Sequence, residues 1–219
     1  MTAPEKGAYT GKRCVIVGGA PIGDYDRVRA FLSGNDYYIY CDCGLVHEKE
    51  LGRQPDLIVG DFDSFERPER DIETIVLPRE KDDTDTVYAA KEAVRRGFED
   101  FLLIGMTGGR FDHSFANTGL LLMLDGLHKT ALLVDDHSEM EIVSESPCEV
   151  NDSFPFFSLL AVDGPAEGVT VTGARYGIED YRLSADMACL GVSNEVLKGE
   201  TARIRVTGGR LLLVRVYRG

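Results

Sequence analysis

Residues 13–41 read RCVIVGGAPIGDYDRVRAFLSGNDYYIYC, and this stretch decides the fold of the first part of the chain. Two short runs rich in β-branched and aromatic residues, Arg13–Val17 and Tyr37–Cys41, enclose a segment with helical periodicity at 24–32. A Gly18-Gly19 pair separates the first run from the helix. A strand, a turn, a helix and a second strand in this order predict a parallel sheet covered by helices.

The same alternation continues to about residue 137. Further strands are predicted at 56–59, 74–77, 101–104 and 131–134, and further helices at 85–96 and 114–127. Gly97 directly follows the helix at 85–96, and glycine is common just past a helix C-terminus. We therefore expect residues 1–137 to form a parallel-sheet α/β domain.

The pattern changes after residue 138. Runs at 156–162, 168–172, 201–206 and 211–217 alternate or are β-branched, with Gly, Pro and Asp between them and little helical periodicity. Residues 138–219 are therefore predicted to form a smaller all-β domain.

Composition restricts the possible partners. The chain has 219 residues, and its 37 acidic and 24 basic side chains give a formal net charge of −13. This charge argues against nucleic acid and against an anionic membrane as partners. No stretch approaches the roughly 20 apolar residues that span a bilayer. The N-terminus lacks the basic and apolar regions of a signal peptide, so a cytoplasmic protein is expected.

The five cysteines fit the same expectation. Cys41 and Cys43 are separated by one residue, which is shorter than the usual spacing of a zinc-binding pair, and three of the four histidines are far away in the sequence. Reduced, unpaired thiols are the better interpretation.

Four predicted strand ends carry carboxylates. The stretches are Cys41-Asp42-Cys43-Gly44, Gly60-Asp61-Phe62-Asp63-Ser64, Lys81-Asp82-Asp83-Thr84-Asp85 and Thr107-Gly108-Gly109-Arg110-Phe111-Asp112-His113. The carboxyl ends of parallel strands meet at one edge of the sheet, where ligands gather. So many acidic groups repel one another unless a cation lies among them, and oxygen ligands suit Mg²⁺. The sequence therefore predicts a magnesium site at this edge.

Each acidic group also has a simpler explanation. Asp61 and Asp63 could both reach one ion if the chain turns between them, and Gly60 is expected to allow that turn. A single pair of this kind is also common in ordinary turns. Asp85 falls in the first turn of a helix, where the helix dipole favours a carboxylate without any function. The metal interpretation depends on the joint presence of the four stretches.

Two basic residues are placed to hold phosphate oxygens. Arg110 follows a glycine pair and can bind phosphate through two nitrogens, whereas Lys81 would act as a point charge. Solvated surface charge is the alternative for both. His113 beside Asp112 is interpreted as positional and not as a general base, since neighbouring side chains point apart. The chain has no G-x-x-x-x-G-K-[ST] loop, no complete G-x-G-x-x-G motif and no nucleophile elbow.

Taken together and in order, these pieces resemble the thiamine pyrophosphokinase family. The match includes the four stretches above, Pro55-Asp56 and Asn117, and in the β-rich part Gly173-Ala-Arg-Tyr176 and Gly191-Val-Ser-Asn-Glu195. The resemblance implies a Rossmann-like α/β domain followed by a β-sandwich, and a homodimer. It also implies transfer of the pyrophosphoryl group of ATP to the hydroxyl of thiamine, with Mg²⁺ as the metal and AMP as the second product.

The resemblance also implies roles for individual residues. Asp61, Asp63 and Asp85 would hold Mg²⁺ and take part in catalysis, with Asp42 nearby. The residues that would bind ATP are Asp42, Lys81, Thr84, Gly109, Arg110 and Asp112, of which Arg110 is also catalytic. The residues that would bind thiamine are Asp82, Ser193 and Asn194. Two features depart from the family: Cys43 replaces a second glycine, and the chain has no Trp to stack on thiamine, so Tyr176 or another aromatic would have to serve.

Three other functions fit part of the pattern. A pyrophosphokinase for another alcohol, such as a pterin, would share the acidic cluster and differ only in the acceptor pocket. An aspartate-based phosphohydrolase would use Asp61 as nucleophile. In such enzymes the motif follows the first strand, whereas here it follows the third predicted strand, and no later Lys or Asp-Asp motif fits. A non-catalytic sensor would be expected to lack one of the metal carboxylates, and Asp61, Asp63 and Asp85 are all present.

Overall fold

A computed structural model describes residues 11–63, 69–80, 82–187 and 191–217. The chain divides into two compact units, one ending at Asp136 and the other beginning at His137. The fold is mixed α/β, with a large parallel sheet in the first unit and a separate antiparallel sheet in the second.

Within the described residues, the first unit has six parallel strands in the order β4-β3-β2-β1-β5-β6. They are β1 Arg13–Val17, β2 Tyr37–Cys41, β3 Leu57–Gly60, β4 Glu73–Val76, β5 Asp100–Ile104 and β6 Thr130–Val134. The helices are α1 Tyr25–Arg29, α2 Glu48–Leu51, α3 Asp85–Arg96 and α4 Phe111–Gly126, with a 3₁₀ helix at Asp42–His47. The parallel sheet predicted from the alternating pattern is confirmed.

The core of this unit lies on both faces of the sheet. Val15 and Val17 of β1 pack in a cluster with Val28 of α1 and Leu51 of α2. Because side chains alternate along a strand, the buried Cys14 and Ile16 face the other side of the sheet. Both faces of β1 are therefore covered, as expected for a strand in the middle of a parallel sheet.

All three predicted helices form, and α3 has the predicted bounds. Its N-cap Thr84 accepts a hydrogen bond from the Val87 amide, and Gly97 ends it with φ +95°. The helix predicted at 24–32 is shorter, because the Phe31 and Leu32 amides donate to carbonyls three residues back and tighten the end of α1. The helix predicted at 114–127 begins a turn earlier, at Phe111. There the apolar periodicity that identifies a helix is missing, because Asp112 and His113 are polar and exposed.

The second unit contains two sets of antiparallel strands. β13 (Leu211–Val216) lies between β7 (Ser138–Val143) and β9 (Phe156–Leu160). A separate sheet has the order β11-β10-β12-β8 and is formed by β8 Cys148–Asn151, β10 Ala166–Thr172, β11 Ile178–Leu183 and β12 Thr201–Arg205. A short 3₁₀ helix, Ala185–Met187, follows β11.

Both sets of strands share one core. Phe157 and Leu213 from the first set belong to the same buried cluster as Val169, Val171 and Ile204 from the second. The described regular elements of this part of the chain are strands, apart from the short 3₁₀ helix, which agrees with the predicted all-β character. No described helix of the chain is long and apolar enough to cross a bilayer.

Candidate active site

The site lies where the order of strand addition reverses. From β1 the chain adds β2, β3 and β4 on one side and then continues with β5 and β6 on the other. In open α/β sheets, ligands bind at the carboxyl ends of the strands at such a switch point. A cavity of about 740 Å³ is found there. Its lining includes residues at or beyond the carboxyl ends of the first five strands: residues 18–21, 41–43, Asp61 with Asp63, residues 84–86, and members of 105–117.

Three carboxylates converge in this cavity. Asp42, Asp61 and Asp85 each offer an oxygen atom, and these three atoms lie within 4.8 Å of one another. We call this group the carboxylate trio. Asp42 begins the 3₁₀ helix after β2, Asp61 follows β3, and Asp85 begins α3. The predicted clustering of acidic strand ends is thus found in the structure.

Asp42 is the most unusual member of the trio. Its side chain is buried, only 6% exposed, and its φ is +26°, a region that residues with a Cβ rarely adopt. Its Oδ1 atom is buried and has no hydrogen-bond partner among the described residues, while Oδ2 accepts a weak bond from the Cys43 thiol at 3.5 Å. A buried acceptor without a partner is costly, so this oxygen indicates a ligand.

The electrostatics of the trio favour a cation. Burial raises the pKa of the Asp42 carboxyl, and the nearby carboxylates of Asp85, Asp61 and Asp63 raise it further. A divalent cation would remove both penalties by pairing with the ionised form. Hard oxygen ligands match Mg²⁺, so the residues present fit this ion.

The turn between Asp61 and Asp63 differs from the expectation. The backbone turns at Phe62, which has φ +55°, and the Asp63 amide donates to Asp61 Oδ1 at 3.3 Å. Gly60 has another role: a Cβ there would lie 2.9 Å from the Asp42 Cβ. The expectation that Gly60 supplies the freedom to turn is therefore wrong, and its missing side chain makes room for Asp42. Asp63 lines the same cavity but lies outside the trio.

Asp85 is held by the first turn of α3 and by a chain of hydrogen bonds around it. The hydroxyls of Thr84 and Thr86 are 3.1 Å apart, and Thr86 Oγ1 donates to Asn117 Oδ1 at 3.2 Å. Asn117 Nδ2 donates in turn to the Met106 carbonyl at 2.7 Å. These contacts tie the start of α3 to α4 and to the end of β5. Asn117 belongs to the motif that the sequence singled out, but the role of Thr86 was missed.

The basic group described at this cavity is Arg110. Its guanidinium is largely exposed and binds Asp112 through two nitrogens, at 3.1 and 2.5 Å. The bond from Arg110 lowers the pKa of Asp112 to about 2. Gly109 and His113 also line the cavity, so the predicted stretch 107–113 lies at the site. Asp82 is exposed and does not line the cavity, and Lys81 lies outside the described residues.

The remaining predicted residues, Ser193 and Asn194, belong to the second unit. Asn194 is buried, and its amide binds the backbone of Tyr176: Oδ1 accepts from the Tyr176 N–H at 3.1 Å, and Nδ2 donates to the Tyr176 carbonyl at 2.9 Å. Ser193 is exposed with φ +55°, and its amide donates to Ser158 Oγ. The Asn194 side chain therefore holds Tyr176, a residue that is 60% exposed, while Ser193 presents its side chain at the surface.

One wall of the cavity has no room for a Cβ at Gly18 or at Gly105. The amides of Gly18 and Ala20 donate to the carbonyls of Ile104 and Gly105, so the loops after β1 and β5 run in contact. Gly105 has φ +63°, and a Cβ there would lie 2.4 Å from the Gly18 carbonyl oxygen. This packing gives a prediction.

Gly105→Ala should lower the free energy of unfolding by about 2 kcal/mol or more, because it combines a steric clash with a strained backbone conformation. Gly119→Ala is the matched control. Gly119 lies in α4, and a Cβ there would meet nothing within 4 Å, so the same substitution should stabilise the protein by about 0.5–1 kcal/mol. Urea denaturation measures both effects. Equal stabilities of the two variants would contradict the contact between the loops.

The fold and the site together define a class of protein. They are typical of α/β proteins that bind a phosphate-bearing ligand together with a divalent cation at the switch point of a parallel sheet. Comparison with known families then identifies the family. The family model "Thiamin pyrophosphokinase, catalytic domain" matches residues 22–133, and the model "Thiamin pyrophosphokinase, vitamin B1 binding domain" matches residues 142–211. The chain belongs to the thiamine pyrophosphokinase family.

Individual relatives agree with this assignment. Thiamine pyrophosphokinase of Bacillus subtilis (strain 168) is 26% identical over 208 residues, which cover 91% of this chain and 96% of that protein. Thiamine pyrophosphokinase 1 of Oryza sativa subsp. japonica is 28% identical over 168 residues, covering 69% and 62%.

Solved structures show the same fold. The crystal structure of thiamin pyrophosphokinase from Geobacillus thermodenitrificans has a TM-score of 0.79 at 26% identity, covering 94% of this chain and 98% of that one. The Bacillus subtilis enzyme has a TM-score of 0.83 at 23% identity, covering 95% and 100%. The resemblance inferred from the sequence is confirmed, and with it the assignment of this chain as an enzyme that transfers pyrophosphate from ATP to thiamine.

Proposed function

We propose that this protein transfers the pyrophosphoryl group of ATP to the hydroxyl of thiamine with the help of Mg²⁺, giving thiamine diphosphate and AMP. The observation that carries the proposal is the carboxylate trio at the switch point of the sheet, with the unpartnered Asp42 Oδ1 among its oxygens. Membership in the family supplies the identity of the two substrates.

At the β-phosphorus the reaction forms one bond and breaks one. The thiamine hydroxyl oxygen attacks the β-phosphorus of ATP, the bond from that phosphorus to the α–β bridging oxygen breaks, and the hydroxyl proton passes to solvent. Such a reaction depends more on positioning and charge stabilisation than on a strong base. Bound Mg²⁺ would neutralise the charge on the phosphates.

Different residues of the chain are proposed to bind the metal, the phosphates and the rest of the nucleotide. Asp42, Asp61 and Asp85 would hold the metal, and Asp63 stays a predicted ligand at the rim of the trio. Arg110 would exchange its contact with Asp112 for a contact with phosphate oxygens, which its planar guanidinium group can bind through two N–H groups. Gly109 would let the backbone approach the nucleotide closely, and Thr84 would fix the first turn of α3 beside it. The phosphate-binding role of Lys81 stays a prediction.

The acceptor side is assigned to the second unit. Ser193 is proposed to contact thiamine, while Asn194 is proposed to act through the Tyr176 loop that it holds. Asp82 stays a predicted thiamine ligand. In the proposed layout a Rossmann-like domain, residues 1–137, is followed by a β-sandwich, residues 138–219. This layout is supported by the core that both sets of strands share in the second unit.

Two properties complete the proposal. The family resemblance suggests a homodimer. Cys14, Cys41, Cys43 and Cys148 are free thiols, which suits a reducing compartment such as the cytoplasm.

The test is to incubate the purified protein with Mg-ATP, with and without thiamine, and to separate the nucleotides. Thiamine-dependent AMP with an equal amount of thiamine diphosphate is expected, and EDTA should abolish it. ADP would indicate an ordinary kinase, and acceptor-independent phosphate a hydrolase. AMP formed only with a pterin or another alcohol would keep the chemistry and change the acceptor. Turnover that persists in EDTA would overturn the metal assignment.

A further inference from the structure

His47 is a buried side chain that the proposed reaction does not use. It is 3% exposed and is the last residue of the 3₁₀ helix that begins with Asp42. Both of its ring nitrogens have partners: Nε2 lies 3.0 Å from the Ala20 carbonyl oxygen, and Nδ1 lies 2.7 Å from the Tyr25 hydroxyl. A carbonyl can only accept, so Nε2 carries the proton, and Nδ1 of the neutral ring accepts from Tyr25. Burial lowers the pKa of His47, in agreement with a neutral ring.

Ala20 lies in a wall of the cavity. Residues 18–21 line the cavity next to the trio; the Ala20 amide donates to the Gly105 carbonyl, and the Ala20 carbonyl is the group that His47 binds. His47 therefore reaches this wall from the same 3₁₀ helix that carries Asp42.

The 3₁₀ helix and the loop at 18–21 are also packed closely along their length. A Cβ on Gly44 would lie 2.3 Å from the Val17 carbonyl oxygen, and one on Gly19 would lie 2.6 Å from the Cys43 Cβ. Such contacts leave little space for the two segments to slide past each other. The hydrogen bond from His47 joins the C-terminal end of the 3₁₀ helix to the same loop.

We infer that His47 is a positioning residue, which sets the loop at 18–21 against the 3₁₀ helix so that the nucleotide and the metal carboxylates meet in one geometry. This inference rests on the proposed use of ATP in this cavity. It assigns to His47 no contact with substrate. Loss of the His47 hydrogen bond is expected to lower the affinity for the nucleotide, because a loosened loop at 18–21 must be ordered each time a nucleotide binds.

Two isosteric variants separate this role from a general structural one. His47→Gln places an N–H close to the position of Nε2 and keeps the donor to Ala20, whereas His47→Asn reaches only as far as Nδ1 and loses it. His47→Asn should weaken binding of α,β-methylene ATP with Mg²⁺ about tenfold, near the upper end of what one hydrogen bond contributes. His47→Gln should stay within about threefold of the wild type. The KM for thiamine should change by less than about twofold in both variants, since the acceptor site is not involved.

Isothermal titration calorimetry gives the affinities, and steady-state kinetics give the two KM values. If His47→Asn does not fold, Tyr25→Phe provides the second test: it removes the hydrogen bond to Nδ1 that helps to hold the His47 ring in place, and should weaken nucleotide binding about threefold. Equal affinities of wild type, Gln and Asn variants, or equal losses in both variants, would overturn the inference. Wild-type protein that binds no α,β-methylene ATP would instead overturn the proposed function, and this inference with it.

Discussion

Asp42→Asn is expected to reduce thiamine diphosphate formation by about 10² or more while the protein folds normally, an effect like the loss of other electrostatic stabilisation in active sites. Asp61→Asn and Asp85→Asn should have effects of the same size. All three substitutions remove one charge from the trio and change the shape of the side chain little. For Asp42 the change also relieves the cost of a buried carboxylate, so the stability of the variant should not fall.

The measurement is kcat/KM at saturating Mg²⁺, together with Mn²⁺ binding followed by electron paramagnetic resonance. Asp83→Asn is the matched control. Asp83 lies two residues before Asp85 but forms an ion pair with Lys91, at 2.7 Å, and does not line the cavity, so its loss should change activity by less than about threefold, as for other surface ion pairs. Near-normal turnover and Mn²⁺ binding in any trio variant would remove that residue from the metal site. Asp63→Asn, measured beside them, decides whether the exposed fourth carboxylate is also a ligand.

Arg96→Ala is expected to lower the free energy of unfolding by about 3 kcal/mol, since it breaks a buried charge network. The Arg96 side chain is 3% exposed and binds Glu92 at 2.7 Å, Glu73 at 2.6 Å and the Tyr37 hydroxyl at 3.0 Å. Arg95→Ala is the control, because Arg95 binds the same Glu92 carboxylate from the surface. Arg95→Ala should lower the free energy of unfolding far less than Arg96→Ala does. Urea denaturation followed by circular dichroism compares the two, and equal losses would show that burial of Arg96 adds nothing.

The contribution of Arg96 to the free energy of unfolding should also depend on pH. The bond from Arg96 lowers the pKa of Glu73 below its usual 4.5. Burial opposes ionisation of Glu92, but hydrogen bonds from Arg95 and Arg96 outweigh it and lower that pKa as well. A depressed carboxyl pKa gives stability that is complete above the unfolded pKa and is lost as the pH falls below it. The difference between wild type and Arg96→Ala should therefore be constant near neutral pH and shrink below about pH 4.5. A difference that grows on acidification would contradict this ion pairing.

The regular elements of the first unit could be predicted because local signals agreed with the fold. β1, β2 and α3 have the predicted bounds, since their apolar patterns and the Gly97 stop point to one answer. The 3₁₀ helix Asp42–His47 was not predicted. Asp adopts a positive φ more readily than most residues, but the sequence does not single out Asp42 among the acidic residues for it. The absence of a side chain on Gly60, which makes room for Asp42, becomes visible only in the fold.

The site could be predicted in its composition but not in its geometry. The sequence places Asp42, Asp61, Asp63 and Asp85 at neighbouring strand ends, yet it cannot tell which three approach within 4.8 Å. The sequence also predicts that Asn194 binds thiamine, but it cannot show that the Asn194 amide is hydrogen-bonded to the Tyr176 backbone. His47 was missed because a lone histidine shows no pattern, and only the fold brings Tyr25 and Ala20 to its two nitrogens.

The contact between the loops after β1 and β5 has a genetic consequence. Gly18 and Gly105 face each other so closely that a Cβ on either would lie 2.5 or 2.4 Å from a carbonyl oxygen of the other. Every amino acid other than glycine carries a Cβ, so each missense change in either codon meets the same obstacle, whatever its polarity or size. In a library randomised at both codons and selected for activity, glycine should be the amino acid recovered at each of them.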